Sequence, residues 1–150
     1  MASTLTNLLY HVVFSTKNRQ RILHKKYREK LYKYIGGIIR GEKSILISIG
    51  GTEDHIHIFI KIRPDVTVSH MLKCIKGNSS KWINENKYAE IHFNWQTGYG
   101  AFSVSQSSVN AVINYIEHQE EHHKKQTFKE ELILLLKKNK IDYDEQYLWI

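Results

Sequence analysis

The chain has 150 residues, enough for one compact domain and too few for a catalytic unit with a separate regulatory domain. Its 22 Lys and Arg against 15 Asp and Glu leave a formal charge of +7 on a sequence that is 41% apolar and 11% aromatic. That balance excludes a disordered polybasic tail and implies a folded domain with an anionic partner. The longest aliphatic run, Leu132 to Leu136, falls far short of the roughly 20 residues of a membrane span. Residues 1–7 show no basic segment followed by an apolar one, so a cytoplasmic protein is expected.

Leu8 to Ser15 is rich in β-formers and reads as a first strand, followed by a basic loop at Lys17 to Arg21. A helix fits Lys25 to Arg40, where Tyr27, Leu31, Tyr34, Ile35, Ile38 and Ile39 recur at helical spacing. Ser44 to Ile49 alternates, with Ile45, Ile47 and Ile49 on one face, and Gly50-Gly51 reads as the turn into a third strand, His55 to Ile62. A second helix is expected from Thr67 to Asn84, with Met71, Leu72 and Ile75 in its buried stripe and Cys74 among them as a buried structural thiol. Phe93 to Ser105 reads as a fourth strand. A third helix, capped by Ser105 or Ser107, is expected over residues 107–125, and Thr127 to Lys138 offers a fourth.

The order βαββαβ followed by helices predicts an α+β, ferredoxin-like (split βαβ) fold in one domain, 1–150. Its antiparallel four-stranded sheet carries two helices on one face. An added C-terminal helix is the natural cover for the other face.

The most informative local pattern is Asp54-His55-Ile56-His57-Ile58. Alternation along a strand puts both imidazoles on one face, about 7 Å apart, and gives the isoleucines to the core. Such a pair chelates a divalent ion or simply decorates a solvated strand face; two ligands do not make a site. On the third helix Tyr115 and Gln119 stand four residues apart, flanking the stripe of Val112, Ile113 and Ile116. That placement suits a phenol and an amide facing a site, and equally a tyrosine at the core margin. His118-Gln119-Glu120-Glu121-His122 has the spacing of a zinc-protease helix but lacks its second-position Glu. His122 and His123 suit a helix C-terminus or a phosphate contact, with His122 on the Tyr115 face.

Taken together, the His-aliphatic-His strand, the downstream Tyr-x-x-x-Gln and three further segments resemble the single-tyrosine HUH transposases of small bacterial insertion sequences, the insertion-sequence-two-hundred-like group. Those segments are Tyr10 to Thr16, Lys76 to Lys81 and Trp95 to Ser105. The resemblance spans nearly the whole chain. It implies that His55, His57 and Gln119 are metal ligands for Mg²⁺ or Mn²⁺, and that Tyr115 is the catalytic nucleophile on single-stranded DNA. The implied product is a 5′-phosphotyrosine with a free 3′-OH. It further implies hairpin recognition and a homodimer in which His55 and His57 of one chain meet Tyr115 of the other. The sequence fits an arrangement within each chain equally, and Leu132 to Leu136 circle a short helix, as a subunit contact over residues 127–150 would have them do.

The chemistry fits these side chains: three neutral ligands leave an ion its full charge, and a phenolate is a better leaving group than an alkoxide, so the cleavage can reverse. A second-sphere role for Glu53, Asp54 or Glu117 is open. Lys17, Arg19, Arg21, Lys25, Lys26 and Arg28, with Lys76 and Lys81, are the candidate DNA contacts. A domesticated HUH nickase, a replication-initiator-like endonuclease and a non-catalytic ferredoxin-like nucleic-acid binder are the alternatives; the binder would carry stacking aromatics on its sheet.

Overall fold

The computed structural model describes residues 3–149. Strand β1 (Leu8–Ser15) leads through a 3-10 turn at Lys17–Arg19 into α1 (Lys25–Gly41). The hairpin β2 (Ile45–Gly51) and β3 (His55–Ile62) follows, then α2 (Val68–Glu85) and β4 (Gly100–Ser103). Helices α3 (Val109–Glu117), α4 (Gln119–His122), α5 (Phe128–Lys138) and α6 (Glu145–Leu148) complete the chain. The strands form one sheet in the order β2-β3-β1-β4, and every neighbouring pair is antiparallel. This is the expected split βαβ arrangement, α+β in class.

Pleating sorts the strands into two faces. Val12 and Phe14 of β1 and Ile56, Ile58, Ile60 and Ile62 of β3 pack under α1 and α2 against Leu31, Ile35, Ile39, Met71, Leu72 and Ile75. The opposite face presents Leu9, His11 and Val13 from β1, and His55, His57 and Phe59 from β3. The register sets Val13 opposite His57 and His11 opposite Phe59. That face is covered in two patches. Ile116, Val112 and Ile113 of α3 pack on Leu9 and Phe59, while Phe128, Leu132, Leu135 and Leu136 of α5 pack on Val13 and Phe102.

Several local expectations are corrected. Gly50 and Gly51 are not the hairpin turn: they pair with His57 and Ile56 inside the ladder, and the chain reverses at 52–54. A register shift between Leu46 and Ser48 breaks the isoleucine alternation. Leu46 and Ile49 therefore pack toward α1 and α2, Ile47 toward α3, and Ile45 lies 57% exposed.

The fourth strand covers only 100–103. Before it, the Asn84 side chain brackets the Phe93 backbone at 2.7 and 3.0 Å, and Trp95 Nε1 donates to Ser79 at 2.9 Å. The segment keeps one antiparallel bridge just past the end of β1, Thr16 with Trp95, and Gly98 turns the chain at φ +86°. A 3-10 turn at Gln106–Ser108 precedes α3 in place of a serine-capped α-helical start. In the leucine run 132–136, Leu136 is buried on the chain's own sheet and Leu134 is 58% exposed. Cys74 is half-buried rather than fully in the core.

One close approach fixes α3 on the sheet. A Cβ on Gly50 would stand 2.4 Å from the Ile116 carbonyl oxygen, so helix and strand touch backbone to backbone there. Gly50→Ala is expected to lift α3 and cost about 1–3 kcal/mol in chemical denaturation. Gly77→Ala, in α2 with nothing within 4 Å, is expected to stabilise by about 0.5–1 kcal/mol. Equal effects at the two positions would contradict the packing described.

Candidate active site

His55 and His57 lie on the covered face with 0% exposure each, which excludes a solvated strand face for them. Buried imidazoles need a partner for each nitrogen, and here each has one. His55 Nδ1 contacts Asp54 Oδ1 at 2.8 Å, and Thr52 donates to the same oxygen at 3.0 Å. Asp54, rather than Glu53 or Glu117, thus orients the ring and aims its Nε2 inward. His57 Nδ1 lies 2.7 Å from Nε2 of His11, its diagonal neighbour on β1.

Helix α3 brings Tyr115 onto the same spot, its ring centroid 5.6 Å from that of His57. The expected continuous helix over 107–125 is broken at His118 (φ −107°, ψ 26°), whose Nδ1 donates to the Asn114 carbonyl at 2.7 Å. The ring takes the carbonyl that the next helical turn would use, and the helix stops. Gln119 restarts it as the first residue of α4, with its side chain still pointing inward: Oε1 lies 2.9 Å from His55 Nε2. His118 therefore faces the helix end, and no protease-like pair with His122 forms. His122 stands beside Tyr115, with ring centroids 4.9 Å apart.

The residue that sequence reasoning missed is Glu131, on α5, 1% exposed. Its Oε1 lies 3.0 Å from His57 Nε2, 2.9 Å from His123 Nε2 and 3.3 Å from His55 Nε2. Its Oε2 accepts from the Tyr115 hydroxyl and, at 3.1 Å, from the Gln119 amide. A carboxylate only accepts, so His57 Nε2 donates to Glu131 and its Nδ1 accepts from His11.

The electrostatics follow from burial and these partners. Burial opposes charge on Glu131, but hydrogen bonds from His123, His55 and His57 outweigh it and hold the carboxyl well below the usual range. Burial would likewise depress His55, yet Asp54 and Glu131 raise it to about 9. His57 falls to about 4, chiefly through burial, and His11 to about 3 through burial and then the neighbouring His57. Both of those rings are neutral at pH 7. Burial, and then the charge of Glu131, raise the Tyr115 phenol.

Four atoms could hold a cation: Nε2 of His55 and of His57, Oε1 of Gln119 and Oε1 of Glu131. Adjacent oxygen or nitrogen ligands around a six-coordinate Mg²⁺-like ion, at about 2.1 Å each, stand about 3.0 Å apart. The separations of 2.9, 3.0 and 3.3 Å within this set match that spacing.

Within the single chain, the Tyr115 hydroxyl reaches Glu131 and the Tyr115 ring stands beside His57. The sheet face that a stacking nucleic-acid binder would expose lies under α3 and α5.

A family model described as "Transposase IS200 like" matches residues 4–119. The chain belongs to the IS200-like transposase family. It is 28% identical over 130 residues to the transposases for insertion sequence element IS200 of Salmonella typhimurium and Salmonella typhi, covering 83% of this chain and 84% of each relative. DNA transposition is therefore its class of activity.

Two solved structures share the fold. One is described as a transposase of Deinococcus radiodurans R1, with a TM-score of 0.63 at 20% identity, covering 79% of this chain and 95% of that one. The other is a REP-associated tyrosine transposase bound to a REP hairpin, with a TM-score of 0.63 at 13% identity, covering 82% and 72%. No helix among the described residues of this IS200-like transposase is long and apolar enough to cross a membrane.

The basic residues divide by their partners. Arg28 is 7% exposed and bonds Glu120 at 2.9 Å; Lys76 Nζ donates to the Gln96 and Gly98 carbonyls at 2.7 and 2.6 Å. These two hold the fold together. Arg19 sits over the Trp149 ring at 5.3 Å. Lys17, Lys25 and Lys26 are exposed, and Lys81 stands 3.9 Å from Glu85 with its side chain 74% exposed. Arg21 joins Lys124 and Lys125 along a groove that runs past Asp54 and His123, at the edge of the histidine cluster.

Proposed function

We propose that this transposase cuts and rejoins single-stranded DNA through Tyr115. The observation that carries the reading is the convergence of the Tyr115 hydroxyl with His55, His57 and Gln119 on one buried point within a single chain. Attack on a phosphodiester needs an in-line oxygen, a place for its proton, charge neutralisation at the phosphate and a stabilised leaving oxygen.

Tyr115 supplies the oxygen. Its hydroxyl already donates to Glu131, so a carboxylate stands where the phenolic proton must go. The phenol oxygen bonds to phosphorus as the bond to the 3′ oxygen breaks, and the departing oxygen takes up a proton in exchange for the one Glu131 received, leaving a 5′-phosphotyrosine and a 3′-hydroxyl; a second 3′-hydroxyl reverses the step on new ends. Asp54 and His11 fix the two imidazoles so that their inward nitrogens stay aimed, and Gln119 adds an amide oxygen. A divalent ion, Mg²⁺ or Mn²⁺, when bound to these groups, polarises the phosphate and stabilises the departing oxygen.

In the groove beside the site Arg21, Lys124 and Lys125 stand among Glu53, Glu120 and Glu130, and these three cations are the phosphate contacts of this reading. The structural neighbour bound to a REP hairpin supports a hairpin-bearing strand as substrate. Tyr115 acts beside its own chain's His55 and His57.

On a single-stranded oligonucleotide carrying a hairpin, Tyr115→Phe is expected to abolish the covalent protein–DNA adduct, read by denaturing gel and peptide mass spectrometry, while binding persists. EDTA is expected to do the same to the unaltered chain. An adduct undiminished in Tyr115→Phe, or full cleavage in EDTA, would remove that group from the mechanism.

A further inference from the structure

We infer that Glu131 is a fourth protein ligand of the divalent ion, which makes helix α5 part of the active site. The inference rests on the proposed reading of His55, His57 and Gln119 as ligands and extends it beyond residue 119, where the match to the family model ends. Helix α5 needs no charge at this position to pack: its neighbours Leu132, Leu135 and Leu136 join the apolar patch over Val13 and Phe102. A carboxylate taken out of water costs several kcal/mol unless its lone pairs are all engaged. Glu131 is 1% exposed and surrounded by polar groups from β3, α3, α4 and the turn after it.

The geometry goes further than satisfaction of a charge. Oε1 faces the inward nitrogens of both strand histidines at 3.0 and 3.3 Å, the spacing of neighbouring ligands on one hard ion. Oε2 meanwhile holds the Tyr115 hydroxyl. One carboxylate therefore ties the metal position to the nucleophile, with one oxygen for each. For the ion to bind, His57 carries its one ring proton on Nδ1, facing His11 Nε2, and His55 keeps its proton on Nδ1, facing Asp54, so that both Nε2 lone pairs are free. A set of two imidazoles, an amide and a carboxylate binds more tightly than the neutral three and lowers the net charge of the loaded site from +2 to +1.

The opposing account makes Glu131 a plug, held by the histidines in the ion's place and displaced when the ion enters. The two accounts differ in sign. Mn²⁺ binding to the full chain without DNA, followed by the electron paramagnetic resonance of free Mn²⁺, is expected to weaken at least 10-fold in Glu131→Gln and by less in Glu131→Asp. Affinity unchanged or tightened in folded Glu131→Gln would establish the plug and overturn the assignment. His57→Ala tests the underlying reading separately: Mn²⁺ affinity unaltered there would show that the strand histidines are not ligands at all. If both Glu131 variants fail to fold, Mn²⁺-soaked crystals of the unaltered chain decide, with an anomalous peak at bonding distance from the Glu131 carboxylate expected and a peak remote from it contradicting.

A different cluster carries a second inference independently. On the helical side of the sheet, Glu42 at the end of α1 faces His70 and Cys74, one turn apart on α2. The His70 Nε2 to Glu42 Oε2 distance is 3.2 Å, and Cys74 Sγ lies 3.5 Å from both Glu42 Oε1 and His70 Nε2. Ligands on a tetrahedral zinc, with bonds of about 2.3 Å to sulfur and about 2.0–2.1 Å to nitrogen and oxygen, stand about 3.3 Å apart for N and O and about 3.5 Å apart for pairs with sulfur. The geometry points to a three-ligand site for Zn²⁺ or a similar borderline divalent ion, with its fourth position toward solvent, clamping α1 to α2.

Cys74 is the only cysteine, and the catalytic cluster contains no sulfur, so a thiolate-to-metal band reports this site alone. Titration of the full chain with Co²⁺ is expected to give an intense near-ultraviolet charge-transfer band saturating at one ion per chain. The band should vanish in Cys74→Ser and weaken at least 10-fold in affinity in His70→Ala and Glu42→Gln. No band in the unaltered chain at micromolar Co²⁺, or a band indifferent to His70→Ala and Glu42→Gln, would overturn the assignment.

Discussion

Two imidazoles on the second face of an antiparallel sheet, His55 and His57, are wholly removed from water, and their burial is tolerated because each ring nitrogen meets a partner. The packing of the C-terminal half follows from that constraint. Helix α3 contributes a phenol and, across its break, α4 contributes an amide; α5 contributes the carboxylate that accepts from most of them. Apolar contacts on either side, Ile116 on Phe59 and Phe128 with Leu136 near Val13, seat the two helices so that these groups meet. The polar cluster and the two apolar patches therefore specify one another.

Charge balance distinguishes the centre of this cluster from its rim. The protein is basic overall, yet the groups at the centre are imidazoles, an amide, a phenol and one acid. The two basic residues most firmly anchored, Arg28 and Lys76, are bound to Glu120 and to backbone carbonyls. In the proposed reading phosphate attraction belongs to the rim, where Arg21, Lys124 and Lys125 stand among Glu53, Glu120 and Glu130. The centre is poor in positive charge and rich in lone pairs, which is the requirement for holding a cation and not for holding DNA by itself.

The sheet, its order and its first core were legible in the sequence because period-two and period-3.6 patterns there are undisturbed by function. His55 and His57 were legible for the same reason: they interrupt an isoleucine alternation at every second place. Tyr115 and Gln119 were singled out by the family resemblance, since their spacing suits a core-margin tyrosine equally, and the helix between them breaks at a histidine whose ring captures a carbonyl, a contact no propensity encodes. Glu131 was not legible. It follows the capping box formed by Thr127 and Glu130, where an acid reads as a helix-start residue, and its burial depends on a fold of α5 against β1 and β3 that local pattern does not carry. His11 and His123 were hidden likewise, since each acquires meaning only beside a residue distant in the chain. The Gly50-Gly51 turn was misplaced because glycine signals both a reversal and a close approach, and here the Ile116 backbone required the second.

In the proposed reading one chain alone completes the site. Mixed dimers, or mixtures at high concentration, of a Tyr115→Phe chain with a His57→Ala chain test it directly on a hairpin-bearing single strand. A site closed within each chain gives no covalent adduct in the mixture, because neither chain holds both the nucleophile and the full set of metal-facing groups. An adduct restored, approaching half the yield of the unaltered protein in pure mixed dimers or about a quarter in an equal mixture that exchanges at random, would show that Tyr115 serves the histidines of a partner and would contradict the account.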